Sequence, residues 1–249
     1  MWNTIGYYLQ HFGWATLLTA IVGYLLGSLS FSIIFTKIFA KTDIRAHGSG
    51  NAGATNVLRT VGKRAAALTF VFDFLKAVVA VILGRIIFQS IASTQGIDQA
   101  LVILGKYGAY IGGTAAFIGH LYPLYFGFRG GKGVITSAAL GLLIDWRLFL
   151  VELALFVAIF LWKKTISLAS VVIASTYPLV TFLITYFIDH KHYVKYGGVP
   201  YSVNYVIVTT VTLAIIGWTI VWKHRENIKR LIAGTEKPIS FHKKKDPEE

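Results

Sequence analysis

The chain has 249 residues, of which 55% are hydrophobic and 14% charged, with a formal net charge of +13 and no cysteine. A soluble domain of this length normally carries about 25% charged residues, and the mean hydropathy here is +0.62. Those values exclude an ordinary soluble fold, and the lack of cysteine excludes disulfides, zinc–thiolate sites and thiol nucleophiles. The apolar residues also fall in long runs between short polar stretches, so the class is an all-α integral membrane protein.

Met1 to Phe12 lack the basic start and the small-residue cleavage site of a signal peptide, so the first run is read as a retained span. That span is predicted over Trp14–Ala40. Its Gly23–Gly27 pair is a small-xxx-small packing motif without chemical content. A polar loop follows, Thr42 to Arg59. Gly48, Gly50 and Gly53 let its backbone bend and expose amides. Ser49, Asn51, Thr55 and Asn56 add hydroxyl and amide groups, and Arg45 and Arg59 add fixed positive charge. Backbone nests beside a guanidinium are a common way to hold phosphate. The plainer alternative is a polar turn between two membrane helices, which rarely needs so many small donors.

The next spans are predicted over Ala65–Ile91 and Leu101–Phe126. Asp73 and Lys76 stand at i and i+3, about 12 Å into their span by helical rise, and are expected to form a buried ion pair that locks helices. The second loop runs from Gly119 to Val134, and Pro123 is placed to break the preceding helix. Gly130, Gly131 and Gly133 around Lys132 look like a second phosphate cradle with Lys132 as the point charge. It is not a Walker A loop, because Gly133 stands where Ser or Thr is required. Capping or packing explains these glycines about equally well when they are taken alone.

The apolar stretch Val134–Trp162 is too long for one span, and Asp145-Trp146-Arg147 interrupts it. Two short helices turning there are expected. Glu152 reads as a snorkelling or helix-start carboxylate near the outer end. Further spans are predicted over Ile166–Ile188 and Val203–Trp222, which makes about seven. The third polar stretch, Trp222 to Glu236, follows directly. Ile228, Leu231 and Ile232 form one stripe of a basic amphipathic helix on the membrane surface. That reading leaves His224 and Asn227, which share a helical face, unexplained.

Lysine and arginine fix the orientation. With seven spans and an outside N-terminus, the inner loops hold Lys41, Arg45, Arg59, Lys63, Arg64, Arg129, Lys132, Lys163 and Lys164. The C-terminal tail adds Lys223, Arg225, Lys229, Arg230, Lys237 and the triplet Lys243, Lys244 and Lys245. The outer segments hold only Arg147, Lys191 and Lys195. The C-terminus is therefore placed in the cytoplasm, and the basic excess belongs to the membrane interface without implying nucleic acid. All three polar loops then fall on one side. Residues 1–239 read as a single membrane domain and 240–249 as a basic cytoplasmic tail. No histidine has an aspartate five residues later, and no dense acidic motif could hold two magnesium ions.

Three stretches together resemble a known family. Gly-Ser-Gly-Asn-x-Gly-Ala-Thr-Asn at 48–56 is the first. Gly-His-x-x-Pro with Phe-x-Gly-Gly-Lys-Gly at 119–133 is the second. His-Arg-Glu-Asn-Ile-x-Arg-Leu with Gly-x-Glu at 224–236 is the third. They are similar to the three motifs of the bacterial acyl-phosphate:glycerol-3-phosphate acyltransferases, in the same order. The resemblance implies transfer of a fatty acyl group from acyl phosphate to the 1-hydroxyl of glycerol 3-phosphate, giving lysophosphatidic acid for phospholipid synthesis in the bacterial cytoplasmic membrane. It implies no cofactor and no metal, lipid and the two phosphorylated substrates as partners, and no obligate protein partner.

Carried over by motif position, the functional residues are Ser49, Arg59, Lys132, His224, Asn227 and Glu236, with Ser167 and Ser170 at the start of the sixth span. Glu236 is expected to orient basic side chains. The outer loop Asp189–Ser202 and the tail beyond Glu236 look longer than the motifs require. The competing reading is a transporter for a phosphorylated small molecule, which should show an inverted repeat; none is evident.

Overall fold

The computed structural model describes residues 2–96, 101–192 and 201–238. The tail with Lys243, Lys244 and Lys245 lies outside them, as does most of the outer loop expected over Asp189–Ser202. The described residues are helical, with short 3-10 and π segments, and the chain divides into two compact units, Met1–Phe149 and Leu150–Glu249.

The first unit holds α1 (Trp2–Gly27), α2 (Phe31–Ala40), α3 (Ala54–Thr60), α4 (Lys63–Thr94), α5 (Leu101–Leu121) and α6 (Val134–Ile144). Its centre is a seam of small residues where α1, α4 and α5 meet backbone to backbone. A Cβ placed on Gly27 would sit 2.1 Å from the Ala116 carbonyl oxygen, one on Gly84 2.1 Å from that of Gly108, and one on Gly112 2.3 Å from that of Ala80. No larger residue fits there without moving a helix. The outer faces carry the bulky apolar side chains: Trp14, Leu17, Phe70, Leu75 and Ile86 are all exposed. Small residues inside and large apolar ones outside is the pattern of a bundle solvated by lipid.

The second unit holds most of α7 (Trp146–Lys163), then α8 (Ile166–Phe182), α9 (Val203–Lys223) and α10 (Arg225–Ile232). It repeats the same logic. A Cβ on Gly217 would meet the Ala174 carbonyl oxygen at 2.1 Å, while Trp218 is exposed. Pro178 lies inside α8, and the helix continues as a π-helical segment, Leu183–His192.

Among the described residues, five segments are long and apolar enough to cross a membrane: Gln10–Ala40, Lys63–Thr94, Leu101–Phe126, Ile166–Lys191 and Val203–Lys223. They coincide with the five strongest predicted spans. The first is not continuous, however. The helix stops at Gly27 and restarts at Phe31 behind Ser30, and the serine hydroxyls supply part of the hydrogen bonding around the break. The Ser28 hydroxyl donates to the Tyr24 carbonyl, and the Ser30 and Ser32 hydroxyls lie 3.2 Å apart.

The expected turn at Asp145 is present: Asp145 is extended, its carboxylate accepts from the Arg147 backbone N–H, and its side chain pairs with the Arg147 guanidinium. The preceding α6 is only 11 residues, about 16 Å long against a hydrocarbon core of about 30 Å. Glu152 corrects the sequence reading. It does not snorkel but is buried, accepting a hydrogen bond from Thr176 across α7 and α8.

Candidate functional site

The first loop is organised by Asn56. Its side chain is buried, its Oδ1 accepts from the Ser49 N–H at 3.0 Å, and its Nδ2 donates to the carbonyls of His47 and Asn51 at 2.9 and 3.1 Å. Gly48 makes this possible: it holds φ +60°, and a Cβ there would sit 2.2 Å from Asn56 Oδ1. The Gly50 N–H closes onto the His47 carbonyl. Asn56, expected among the phosphate ligands, thus commits its amide to the loop's shape. Ser49 and Gly50 are exposed at the tip, Asn51 and Thr55 are partly exposed, and Arg59 is exposed in the last turn of α3.

Arg45 ties this loop to the second. It pairs with Asp43, and its Nη1 donates to the Phe126 carbonyl at 2.6 Å. The hydrogen bonds from Arg45 hold the Asp43 carboxyl below the usual carboxylate range.

In the second loop, Pro123 starts a 3-10 turn, Leu124–Phe126, and Gly127 and Phe128 take positive φ to reverse the chain. The Gly130 and Gly131 amides donate back to the carbonyls of Leu121 and His120, closing the end of α5. They are not a cradle of outward-pointing donors as expected. Gly133, at φ +85°, is the N-cap of α6. Lys132 therefore stands half-buried just before a helix start, whose first-turn N–H groups have no partner within the helix and favour an anion.

Beneath the loops lies a buried cluster that the sequence showed only in part. Asp73 and Lys76 pair at 2.7 Å as expected, about 15 Å along α4 from Lys63. Lys76 Nζ also donates to the Leu29 carbonyl, exposed by the break between α1 and α2, and lies 3.1 Å from His120 Nδ1. His120 belongs to the Gly-His-x-x-Pro stretch, so the signal was present, but nothing in its spacing linked it to α4.

In the second unit, His224 is the joint between α9 and α10. Its Nδ1 lies 2.8 Å from the Ile220 carbonyl oxygen, which can only accept, so in the neutral ring Nδ1 carries the proton and Nε2 can take one. Asn227, one turn on and on the helical face the two were expected to share, is buried with it. Gly234, at φ +68°, turns the chain back and brings Glu236 under α10. The Glu236 carboxylate accepts from Asn227 Nδ2 at 2.7 Å, from Arg230 Nε at 2.6 Å and from the Ser167 hydroxyl of α8.

Glu236 thus orients a basic side chain, Arg230, and also joins the start of α8 to α10. Burial raises its carboxyl, but the hydrogen bonds from Ser167, Arg230 and Asn227 outweigh that and hold it below the ordinary value. Ser170 is buried one turn beyond Ser167, and its hydroxyl has no hydrogen-bond partner among the described residues. Of the amphipathic stripe, Ile228 and Leu231 are half-buried and Ile232 is exposed.

Lipid-exposed apolar faces, glycine seams and basic polar ends define an integral membrane protein, with its charged chemistry gathered in loops. The family profile for glycerol-3-phosphate acyltransferase matches residues 17–234, a stretch that runs through both units. The chain belongs to the glycerol-3-phosphate acyltransferase family.

A glycerol-3-phosphate acyltransferase of Clostridioides difficile (strain 630) is 38% identical over 227 residues, covering 91% of this chain and 97% of that protein. One from Thermoanaerobacter sp. (strain X514) is 36% identical over 222 residues, covering 89% and 94%. The crystal structure of PlsY (YgiH), an integral membrane glycerol 3-phosphate acyltransferase in its glycerol 3-phosphate form, is 33% identical. It superposes with a TM-score of 0.66 over 90% of this chain and 96% of that one. The lysophosphatidic acid form gives 32% and 0.64.

Proposed function

We propose that this chain transfers a fatty acyl group from acyl phosphate to the 1-hydroxyl of sn-glycerol 3-phosphate, releasing lysophosphatidic acid and inorganic phosphate, in bacterial phospholipid synthesis. The observation that carries this is the family match over residues 17–234, which includes all three polar stretches. The solved relative with 33% identity, described in glycerol 3-phosphate and lysophosphatidic acid forms, supports the acceptor and the product. An acyl phosphate is already activated, so no covalent enzyme intermediate is needed.

In the first unit, Arg59 and Lys132 supply positive charge for phosphate, with Lys132 backed by the start of α6. Ser49, Gly50, Asn51 and Thr55 line the first loop's tip, Asn56 holds its shape, and Gly130, Gly131 and Gly133 set the path of the second. In the second unit, His224 and Asn227 present polar groups from one buried face. Glu236 and Ser167 fix that face, and Ser170 lies buried one turn beyond Ser167. Positioning can contribute roughly 7–11 kcal/mol, and a donor aimed at the developing oxyanion about 3–4 kcal/mol.

The attacking oxygen forms the ester bond as the bond from the acyl carbon to the phosphate oxygen breaks. We assign the hydroxyl proton to the donor's own phosphate oxygen in preference to His224. A His224→Gln enzyme should then keep most of its turnover; a collapse of kcat with unchanged substrate binding would assign the base to His224.

The catalytic proposal is tested by purifying the protein and supplying acyl phosphate and glycerol 3-phosphate. Stoichiometric phosphate and lysophosphatidic acid are expected. Uptake of labelled glycerol 3-phosphate into vesicles without turnover would replace this reading with a transporter. We further propose that residues 1–239 act as one acyltransferase domain with seven spans. The two beyond the five long segments come from the split at Asp145. The charge distribution supports an outside N-terminus and polar loops facing the cytoplasm of the inner membrane. A reporter at the C-terminus should therefore be active only in the cytoplasm, and external activity would reverse the topology.

A further inference from the structure

The cluster beneath the loops has one internal logic. An ammonium offers three N–H donors and no lone pair, and three acceptors surround Lys76 Nζ: Asp73 Oδ1 at 2.7 Å, the Leu29 carbonyl at 2.5 Å and His120 Nδ1 at 3.1 Å. Asp73 Oδ1 is 3.6 Å from His120 Nδ1, too far for a hydrogen bond, so Nδ1 accepts from Lys76 and the ring proton resides on Nε2. All three side chains are buried.

The Nε2 end lies where the two loops of the first unit come together. A Cβ on Gly131 would sit 2.2 Å from His120 Nε2 and 2.7 Å from the Ala52 carbonyl oxygen. The ring edge, the backbone beside Lys132 and the backbone of the first loop thus crowd one point. The Gly131 N–H closes onto the carbonyl of His120 itself, so the second loop wraps this residue on two sides.

We propose that His120 is a positioning residue for the acyl transfer, keyed between the first and second loops in its Nε2–H form by the Asp73–Lys76 pair. This inference rests on the proposed function. Its consequence is that Lys132 is held in register with the first loop by a group that itself contacts no substrate. Asp73 and Lys76 act through the ring's tautomer as well as by joining α4, α5 and the broken first span.

The test uses the full-length protein in detergent or lipid, with wild-type turnover measured first. A wild type without phosphate release would refute the function and leave this cluster without a reaction to serve. Given an active wild type, His120→Ala should raise KM for glycerol 3-phosphate about tenfold, the size of one well-placed hydrogen bond, with kcat changed far less. His120→Gln places an N–H donor at a similar reach without needing a tautomer, and should recover most of that KM.

The paired change Asp73→Asn with Lys76→Met avoids leaving a lone buried charge. It should raise KM in the wild-type background and add little to His120→Gln, because glutamine has no tautomer to fix. Equal losses in the alanine and glutamine variants would overturn the proposal. So would the paired change acting with undiminished effect in the glutamine background. Melting temperatures serve as the fold control, since a purely structural role would lower them without a KM-selective rescue by glutamine.

Discussion

Alanine at Lys132 should reduce phosphate release from acyl phosphate and glycerol 3-phosphate by about 100-fold or more, in the range seen when one preorganised electrostatic group is removed. Lys132 lies between buried Gly131 and Gly133, immediately before the first turn of α6. Its charge and the helix-start amides favour an anion at the same place, and the half-buried setting weakens screening by water. The α5 closure runs through the Gly130 and Gly131 amides and the seam through small residues of α1, α4 and α5, so the variant should remain folded.

Arginine at the same position should restore only part of the activity. A planar fork meets a phosphate differently from a compact ammonium. Arg59→Ala should produce a loss of the same order from the other loop. Retention of more than a tenth of wild-type turnover by Lys132→Ala would remove it from the proposed machinery.

Glu236→Ala is expected to be nearly as damaging, for a different reason. The carboxylate is the common acceptor for Asn227, Arg230 and the Ser167 hydroxyl. Its loss leaves those donors without it and removes the side-chain tie from this segment to α8 and α10, leaving the backbone bonds of Thr235 and Glu236 to the Arg230 carbonyl. Activity should fall about 10- to 100-fold, and amide exchange should rise across residues 225–236. Glu236→Gln should fall between the two, since it keeps an acceptor oxygen but loses the charge.

The pH dependence has a definite sign. The folded carboxyl titrates below its ordinary value, so its stabilisation is fully present above the unfolded value of about 4.5 and is lost as pH falls through the folded one. Amide exchange across residues 225–236, expressed relative to the intrinsic rate at each pH, should therefore be flat from neutral pH down through the mildly acid range and rise only in strong acid. A rise near neutrality would show that Glu236 is not the group holding this segment.

The spans were legible because hydropathy over about 20 residues is a strong signal, and all five long segments fall where the apolar runs predict. The break at Ser28–Ser30 was not, because three residues in an apolar run leave mean hydropathy almost unchanged, and the Ser28 hydroxyl bonds within the turn before it. Asp73 and Lys76 could be paired from their spacing along one helix. His120 could not be joined to them, since contact between α4 and α5 depends on how glycine faces pack. The His224–Asn227 face was readable from periodicity. The role of Asn56 was not: side-chain amides look alike in sequence whether they face a ligand or brace a loop. The same holds for Gly130 and Gly131, whose amides serve the end of α5.

The glycine seam of the first unit bears on how this sequence can change over generations. Positions such as Gly27, Gly84 and Gly112 press directly on a neighbouring backbone, whereas Leu17, Phe70 and Ile86 face outward. Drift among bulky apolar residues on the outer faces costs little, because lipid accepts any of them. Drift along the seam would shift a whole helix, and with it the loops at its end. Tolerance to substitution should therefore run in helical stripes, and the least informative-looking residue in the chain carries much of the inherited constraint.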